Sequence, residues 1–159
     1  MRDNRRIAAI IVGLLFAVTA YAAETKEPTV VTSQKLTTDQ KAKTALFEVN
    51  VVAKKGDRTM YADTMLVYYS EDKSGSNIKK IDADGNVKLV RGERVVTSKH
   101  AVYYAEPEEY VVFTGEPRAS EGENVVTGTK MTYFMKDDHS IVEDSKVFIV
   151  NKEKTGNRQ

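Results

Sequence analysis

Few side chains in this sequence are of the types that carry out catalysis. The chain has 159 residues, no cysteine, and two histidines, His100 and His139. The lack of cysteine excludes a disulfide framework, a thiol nucleophile and a cysteine-ligated zinc or iron–sulfur site. Neither histidine accompanies a Gly-x-Ser-x-Gly nucleophile motif or a His-Glu-x-x-His zinc motif. The sequence therefore predicts that the protein is not an enzyme.

Two short acidic clusters are the remaining candidates for a functional site, and both would be metal-binding sites. Residues 137–139, Asp-Asp-His, lie between two predicted strands, and such a polar run is typical of a hairpin tip. Asp82, Asp84 and Asn86 resemble part of a calcium-binding loop, but Val87 continues an apolar strand pattern within the span that such a loop needs. We therefore expect neither a metal ion nor a cofactor.

The charge of the chain argues against nucleic acid as a partner. The 24 Lys and Arg residues nearly balance the 23 Asp and Glu residues, which gives a formal net charge of +1 at pH 7. Because the two signs are interspersed, the chain lacks the one-signed field that binding to a phosphate backbone needs.

The first 22 residues have the three parts of a secretory signal peptide. Three arginines among the first six residues form a basic region, residues 7–18 form an uncharged apolar run, and residues 20–22, Ala-Tyr-Ala, supply small residues for cleavage after Ala22. An uncleaved anchor is the alternative, but the apolar run is shorter than the about 20 residues that span a bilayer. The predicted organisation is a signal peptide at 1–22, a linker at 23–28, one domain at 29–150 and a polar tail at 151–159.

The composition after residue 22 predicts an all-β protein. This part of the chain contains 18 Val and 7 Tyr against 4 Leu, and β-branched and aromatic residues favour strands. Residues 45–51 and 81–89 alternate apolar and polar side chains with period 2, and short turn signals separate such runs. Successive strands should therefore be antiparallel neighbours in one sheet.

An internal repeat of about 30 residues underlies these strands. An offset of 30 aligns Ile81 with Val111 and Ile141, and Gly85 with Gly115. An earlier copy lies 36 residues before the first. Each unit reads as two strands and two turns. Stacked hairpin units of this kind predict a fold that extends along one axis and has unpaired strand edges at both ends.

Four segments resemble a known family in their order and spacing. They are residues 62–65 (Ala-Asp-Thr-Met), 85–87 (Gly-Asn-Val), 110–115 (Tyr-Val-Val-Phe-Thr-Gly) and 128–133 (Gly-Thr-Lys-Met-Thr-Tyr). Over residues 29–150 the chain is similar to the lipopolysaccharide-transport family of LptA (OstA-like) proteins, LptC and the N-terminal domain of LptD. The resemblance implies an elongated, folded-over antiparallel β-jellyroll in the periplasm. It further implies that the interior shelters the acyl chains of lipid A, and that protomers join head to tail with one another and with LptC-like and LptD-like proteins.

One face of the repeated strands is the candidate lipid groove. An ordinary closed β-sandwich core is the alternative, although small residues such as Ala83 and Ala119 leave space on this face. The candidate groove residues are Phe47, Val49, Val51, Met65, Val67, Ile81, Val87, Leu89, Ala101, Tyr103, Val111, Phe113, Met131, Tyr133, Ile141, Val147 and Ile149. Apolar residues also occur with the opposite parity, and a bulge near 65–69 or 101–105 would exchange the two faces.

The strand edges at the two ends of the domain are the candidate assembly surfaces, because a free edge can accept a strand from a partner. Coverage of the C-terminal edge by the tail is one alternative. Two alternatives for the whole protein are a scaffold that assembles through its edges without a lipid, and an LptC-like adaptor that keeps its N-terminal anchor. The candidate edge residues are Val30, Val31 and Leu36 at the N-terminal end, and Val147, Phe148, Ile149 and Val150 at the C-terminal end.

Overall fold

The computed structural model describes residues 27–72 and 75–150. The predicted signal peptide at 1–22, most of the linker and the polar tail at 151–159 lie outside these residues. Within the described residues, no helix is long and apolar enough to cross a bilayer.

All regular structure in the described part of the chain is β-strand, as the composition predicts. The strands are β1 (Val30–Thr32), β2 (Lys35–Asp39), β3 (Thr44–Lys55), β4 (Arg58–Asp72), β5 (Gly75–Arg91), β6 (Arg94–Tyr104), β7 (Tyr110–Thr114), β8 (Arg118–Glu121), β9 (Asn124–Thr127), β10 (Lys130–Phe134), β11 (His139–Glu143) and β12 (Lys146–Phe148).

These strands form one antiparallel sheet in which each hairpin pairs with the next. The main path runs β1-β3-β4-β5-β6-β7-β10-β11, while β2 pairs with β3, β8 with β6 and β9, and β12 with β9. In the described chain β1 and β2 each pair only with β3, β11 only with β10, and β12 only with β9. The sheet therefore has two strand edges at each end, as the stacked repeat predicts.

A line of bulges halfway along the strands folds this sheet over. The pairing register shifts between Glu48 and Val51 in β3, between Tyr61 and Thr64 in β4, and between Asp84 and Val87 in β5. Bulges bend and twist the strands that contain them. We call this line the crease. Positive φ angles recur on it at 49–50, 85–86 and 115–116, so the repeat seen in the sequence is a repeat of the crease.

Gly85 shows why this position of the repeat is a glycine. Its φ angle is +76°, and a Cβ atom there would collide with the carboxylate of Asp63 on the neighbouring strand. Asn86, also at positive φ, donates from Nδ2 to Asp63 Oδ2 at 2.8 Å. Glycine and asparagine tolerate the left-handed region better than other residues do, and together they hold the strand in its bend.

The crease divides the sheet into two layers, each with eight strand segments, and four strands run through both. Layer 1 contains β2, residues 44–48, 64–72, 75–84 and 100–104, and β7, β10 and β11. Layer 2 contains β1, residues 51–55, 58–61, 87–91 and 94–98, and β8, β9 and β12.

The facing sides of the layers carry three rows of cross-strand neighbours, which share a face because they are paired directly. The row in layer 2 is Val31, Ala53, Met60, Leu89, Val96, Ala119, Val126 and Val147. The row in layer 1 near the crease is Leu36, Phe47, Met65, Ala83, Ala101, Phe113, Met131 and Val142. The row in layer 1 farther from the crease is Thr38, Ala45, Val67, Ile81, Tyr103, Val111, Tyr133 and Ser140.

Burial along these rows is highest in the middle of the stack. Met65, Ala101 and Phe113 are fully buried, whereas Leu36 at one end and Val147 at the other are 54% and 53% exposed. Each hairpin covers its neighbours, and the terminal hairpins are covered on one side. The core is therefore closed in its centre and open toward both ends.

The orientation of the strands near 65–69 and 101–105 follows the simple alternation. Met65, Val67 and Ala101 face inward and are buried. The register shift in this region falls between Tyr68 and Tyr69, after the inward-facing residues of β4, so it leaves their orientation unchanged.

Three residues of the predicted inner face lie elsewhere. Val49 is in the crease at φ 66° and is 49% exposed, because the bulge turns its side chain out of the alternation. Ile149 follows the last residue of β12 and is 69% exposed. Ile141 pairs with Thr132 on the outer face, and it is Val142 that pairs with inward-facing Met131.

A turn length explains the error at Ile141. The connection between β6 and β7 has five residues, 105–109, whereas the matching connection between β10 and β11 has four, 135–138. A shift of one residue moves every side chain of a strand to the other face. The sequence offset of 30 therefore aligns Ile141 with Val111 but reverses its orientation. Val147 does face inward, opposite Val126, and is exposed only because β12 is the last strand.

Candidate functional site

A cavity lies between the two layers in the C-terminal half of the stack. Its volume is about 370 Å³. Layer 2 contributes the side chains of Leu89, Val96, Ala119 and Val126, and layer 1 contributes Phe113, Met131, Tyr133, Ser140 and Val142. Most of this lining is apolar, which suits the acyl chain of a lipid.

The layer 2 side chains that face this space are short. In layer 2, Val96, Ala119 and Val126 succeed one another along the inner row. In the N-terminal half the corresponding part of the row holds Met60, which is buried, and a smaller cavity of about 60 Å³ remains beside it. The C-terminal half of the interior therefore contains the larger of these two cavities.

The predicted groove residues divide between these two regions. Leu89, Phe113, Met131 and Tyr133 line the large cavity. Ile81 and Tyr103 line the small one together with Leu89. Val147 also faces inward but is exposed at the end of the sheet. The remaining inward-facing residues are buried or half-buried in the packed core, and these are Phe47, Val51, Met65, Val67, Val87, Ala101 and Val111.

Three inward-facing valines that line the large cavity, Val96, Val126 and Val142, were not among the predicted groove residues. Val96 and Val126 are related by the 30-residue offset, so the repeat itself carried a signal for both. Val142 carried no such signal, because its inward orientation depends on the short turn before β11. Val96 and Val126 extend the lining of the cavity in layer 2.

Charged residues bridge the layers along the side opposite the crease. At the large cavity, Arg91 and Arg94 in layer 2 meet Tyr133 and Asp138 in layer 1, and all four residues line the cavity. We call these four residues the mouth cluster. Arg94 Nη1 lies 2.8 Å from Asp138 Oδ2, and Arg91 Nη1 lies 3.1 Å from Asp138 Oδ1. Tyr133 Oη donates to Asp138 Oδ1 at 2.8 Å and accepts from Arg91 Nη1 at 2.8 Å.

The mouth cluster stays charged around neutral pH. The hydrogen bond from Tyr133 and the guanidinium of Arg94 hold the pKa of Asp138 below its ordinary value of 3.8. The pKa of Arg94 is raised by Glu121 and by Asp138. The cavity is therefore apolar inside and ionic at its rim.

A second bridge ties the layers beside the small cavity. Lys55 Nζ and Tyr103 Oη both donate to Glu109 Oε1, at 2.6 and 2.7 Å. Burial alone would raise the pKa of Glu109, but the hydrogen bonds from Lys55 and Tyr103 outweigh it, and the pKa lies below 4.5. Arg58 Nη2 donates to the carbonyl oxygen of Met135 at 3.3 Å. Burial and the contact with Glu109 raise the pKa of the Tyr103 hydroxyl.

The predicted edge residues lie at the two ends of the sheet. Val30 and Leu36 are exposed on β1 and β2, and Val31 faces inward and is half-buried. Val147 and Phe148 are exposed on β12, and Ile149 and Val150 are exposed directly after it. The backbone N–H of Val150 donates to Asn124 Oδ1 at 3.1 Å, which holds this segment beside β9. Each end of the sheet thus presents apolar side chains beside strand edges.

The sequence and the fold match those of known proteins. The model of the family described as LptA/(LptD N-terminal domain) LPS transport protein matches residues 30–139, more than half of the chain. The chain belongs to this LPS transport family. Membership supports a general role in lipopolysaccharide transport, and it confirms the family predicted from the four sequence segments. No match is found among curated proteins.

A solved structure has the same fold. It is the crystal structure of LptH, the LptA-homologous periplasmic component of the lipopolysaccharide transport device of Pseudomonas aeruginosa. The TM-score is 0.67 with 14% sequence identity, and the match covers 79% of this chain and 96% of that chain. The folded-over β-jellyroll predicted from the sequence is confirmed.

Proposed function

We propose that the protein is a periplasmic carrier of lipopolysaccharide that holds acyl chains of lipid A between its two layers. The observation that carries this proposal is the apolar cavity of about 370 Å³ between the layers, in a chain that belongs to an LPS transport family. The protein acts by binding and transfer, without a chemical step.

The size of the cavity fits an acyl chain. A water molecule takes about 30 Å³ in the liquid, and a methylene group is of similar size. The cavity of about 370 Å³ therefore has room for about a dozen methylene groups. Each buried CH₂ contributes about 0.8 kcal/mol, and a chain of a dozen carbons gains about 10 kcal/mol relative to water. Movement from one such cavity to an equivalent one is nearly neutral in free energy, so the direction of transport must come from an energy source elsewhere.

The two ends of the sheet support assembly into a bridge. β1 and β2 form the edges at one end, and β11 and β12 form those at the other. Contact between unlike ends is heterologous and propagates without closing. Because the large cavity lies near the β11 and β12 end, such a contact would bring it next to the interior of the following protomer or of an LptC-like or LptD-like partner.

We further propose that the first 22 residues direct the protein to the periplasm and are removed by cleavage after Ala22. The intact mass of the protein purified from cells tests this directly. A chain that begins at residue 23 supports a free carrier. A chain that retains the apolar run of residues 7–18 would instead favour an LptC-like adaptor tethered to the membrane.

Co-purification of lipid tests the carrier function. The protein is purified from cells that make lipopolysaccharide, washed without detergent, and analysed for bound lipid A by mass spectrometry. We expect lipid A to accompany the folded protein in stoichiometric amounts. Folded protein that carries no lipid, and takes up none when lipopolysaccharide is added, would contradict the proposal and leave a scaffold that assembles through its edges.

A further inference from the structure

The mouth cluster has the geometry of an anion-binding site that a side chain of the protein itself occupies. The Nη1 atoms of Arg91 and Arg94 and the hydroxyl of Tyr133 all lie within 3.1 Å of the carboxylate of Asp138. Guanidinium groups bind carboxylates and phosphates with the same planar, paired hydrogen bonds. A phosphate group would therefore find three donors already converging on one point.

Both guanidinium groups are held in this orientation by other carboxylates. Arg91 Nε donates to Asp57 Oδ2 at 2.7 Å, and Arg94 Nε donates to Glu121 Oε1 at 3.1 Å. These contacts use the opposite side of each guanidinium from the side that faces Asp138. These contacts favour the same orientation of the arginines when Asp138 moves away.

Asp138 is the member of the cluster that is best placed to move. It ends the four-residue turn between β10 and β11 at a φ angle of 52°. Arg91 and Arg94, by contrast, are strand residues that flank a two-residue hairpin turn and pair with each other. Movement of one turn would open the rim of the cavity without disturbing the strands.

We propose that Arg91, Arg94 and Tyr133 form a subsite for the phosphate of a phosphorylated lipid, one acyl chain of which enters the large cavity, and that Asp138 occupies this subsite until the lipid displaces it. The inference rests on the carrier function proposed above. A phosphate monoester offers three acceptor oxygens, which match the three donors. With Asp57 and Glu121 still paired to the arginines, the subsite has no excess positive charge, so recognition depends on these hydrogen bonds and on the acyl chains together.

The test compares lipid A that carries its phosphates with the same lipid after chemical dephosphorylation, by equilibrium binding to the mature protein. We expect the wild-type protein to bind the phosphorylated form about tenfold more tightly, the effect of one charged hydrogen bond or more. In the double variant Arg91→Gln and Arg94→Gln the affinities for the two lipids should become equal. Asp138→Asn should bind the phosphorylated lipid more tightly than wild type, because a neutral amide competes less well for the arginines.

A matched pair of variants controls for the change of charge. Lys99 and Glu116 form an ion pair of 3.0 Å whose side chains are 70% and 82% exposed, away from the mouth cluster. Lys99→Gln and Glu116→Gln should leave both affinities unchanged. Circular dichroism checks that every variant keeps its β-sheet, and Asp138→Asn, which leaves the arginines in place, tests the subsite if the double variant fails to fold.

The possible results separate the subsite from the carrier function. Equal affinity of the wild-type protein for both lipids would overturn the subsite and leave the carrier function standing. If the wild-type protein binds neither lipid, the subsite and the carrier function are both overturned. Inorganic phosphate alone distinguishes the source of the anion, because saturable binding without acyl chains would contradict a lipid-borne phosphate as the ligand.

Discussion

Replacement of Ala119 by leucine should fill part of the large cavity and weaken lipid binding. Ala119 lies on β8 in the inner row of layer 2, paired with Val96 on one side and Val126 on the other, and it lines the cavity. Leucine adds three carbon atoms at this position. They would take up about a quarter of a space that holds about a dozen groups of methylene size.

The expected loss of affinity follows from the displaced part of the acyl chain. Three methylene groups returned to water cost about 2.4 kcal/mol at about 0.8 kcal/mol each, which corresponds to about fiftyfold weaker binding. Because the new side chain enters existing space, the free energy of unfolding should stay within about 1 kcal/mol of wild type. Loss of binding with unchanged stability is the signature of a filled ligand site.

The assay is equilibrium binding of lipid A, with urea denaturation of the same samples. Thr97→Leu is the matched control, since Thr97 is exposed on the opposite face of β6, next to Val96, and leucine there should leave binding unchanged. Wild-type affinity in folded Ala119→Leu protein would refute the placement of acyl chains in this cavity. Equal loss in both variants would show that added apolar surface, and not the filled space, is responsible.

Three further predictions concern the crease, the second bridge and the C-terminal edge. Gly85→Ala should lower the free energy of unfolding by about 2 kcal/mol or more, because Gly85 has a positive φ and an added Cβ would collide with Asp63. Gly122→Ala, which also has a positive φ but has open space around it, should lower it by about 1 kcal/mol. Equal losses in urea denaturation would contradict this. The pKa of Glu109 is lowered in the folded state, so its contribution to the free energy of unfolding is present above pH 4.5 and is lost as the pH falls through the lowered value. Glu109→Gln should therefore flatten the acid end of the profile of stability against pH. An unchanged profile would refute the bridge. Phe148→Glu on exposed β12 should reduce self-association measured by sedimentation while lipid binding persists, and undiminished oligomers would exclude this edge as a contact.

The sequence was sufficient to predict the fold because the two strongest signals are local. Period-2 alternation sets which side chains face inward within a strand, and turn residues set where each strand ends. Gly85 and Gly115, both at positive φ, made the repeat recognisable in the sequence. These signals predicted an antiparallel stack of hairpins with strand edges at both ends.

Two of the three misplaced groove residues lie where one residue more or less changes the orientation of a strand, and the third, Ile149, lies beyond the end of β12. Val49 lies in a bulge, and Ile141 follows a turn that is one residue shorter than its counterpart. Neither change alters the composition or the apolar pattern, so the sequence carries no sign of it. The mouth cluster was missed as a unit for a different reason, because Arg91 and Asp138 are 47 residues apart and meet only when the sheet folds over.

Photocrosslinking with lipopolysaccharide tests most directly whether acyl chains lie between the layers. A photoactivatable residue replaces Leu89 or Phe113, which line the cavity, and in matched variants replaces Lys88 or Lys146, which are exposed. We expect adducts with lipid A at Leu89 and Phe113 and none at the two lysines. Folded protein that gives no adducts at Leu89 and Phe113, or gives as many at the lysines, would contradict lipid carriage in the interior.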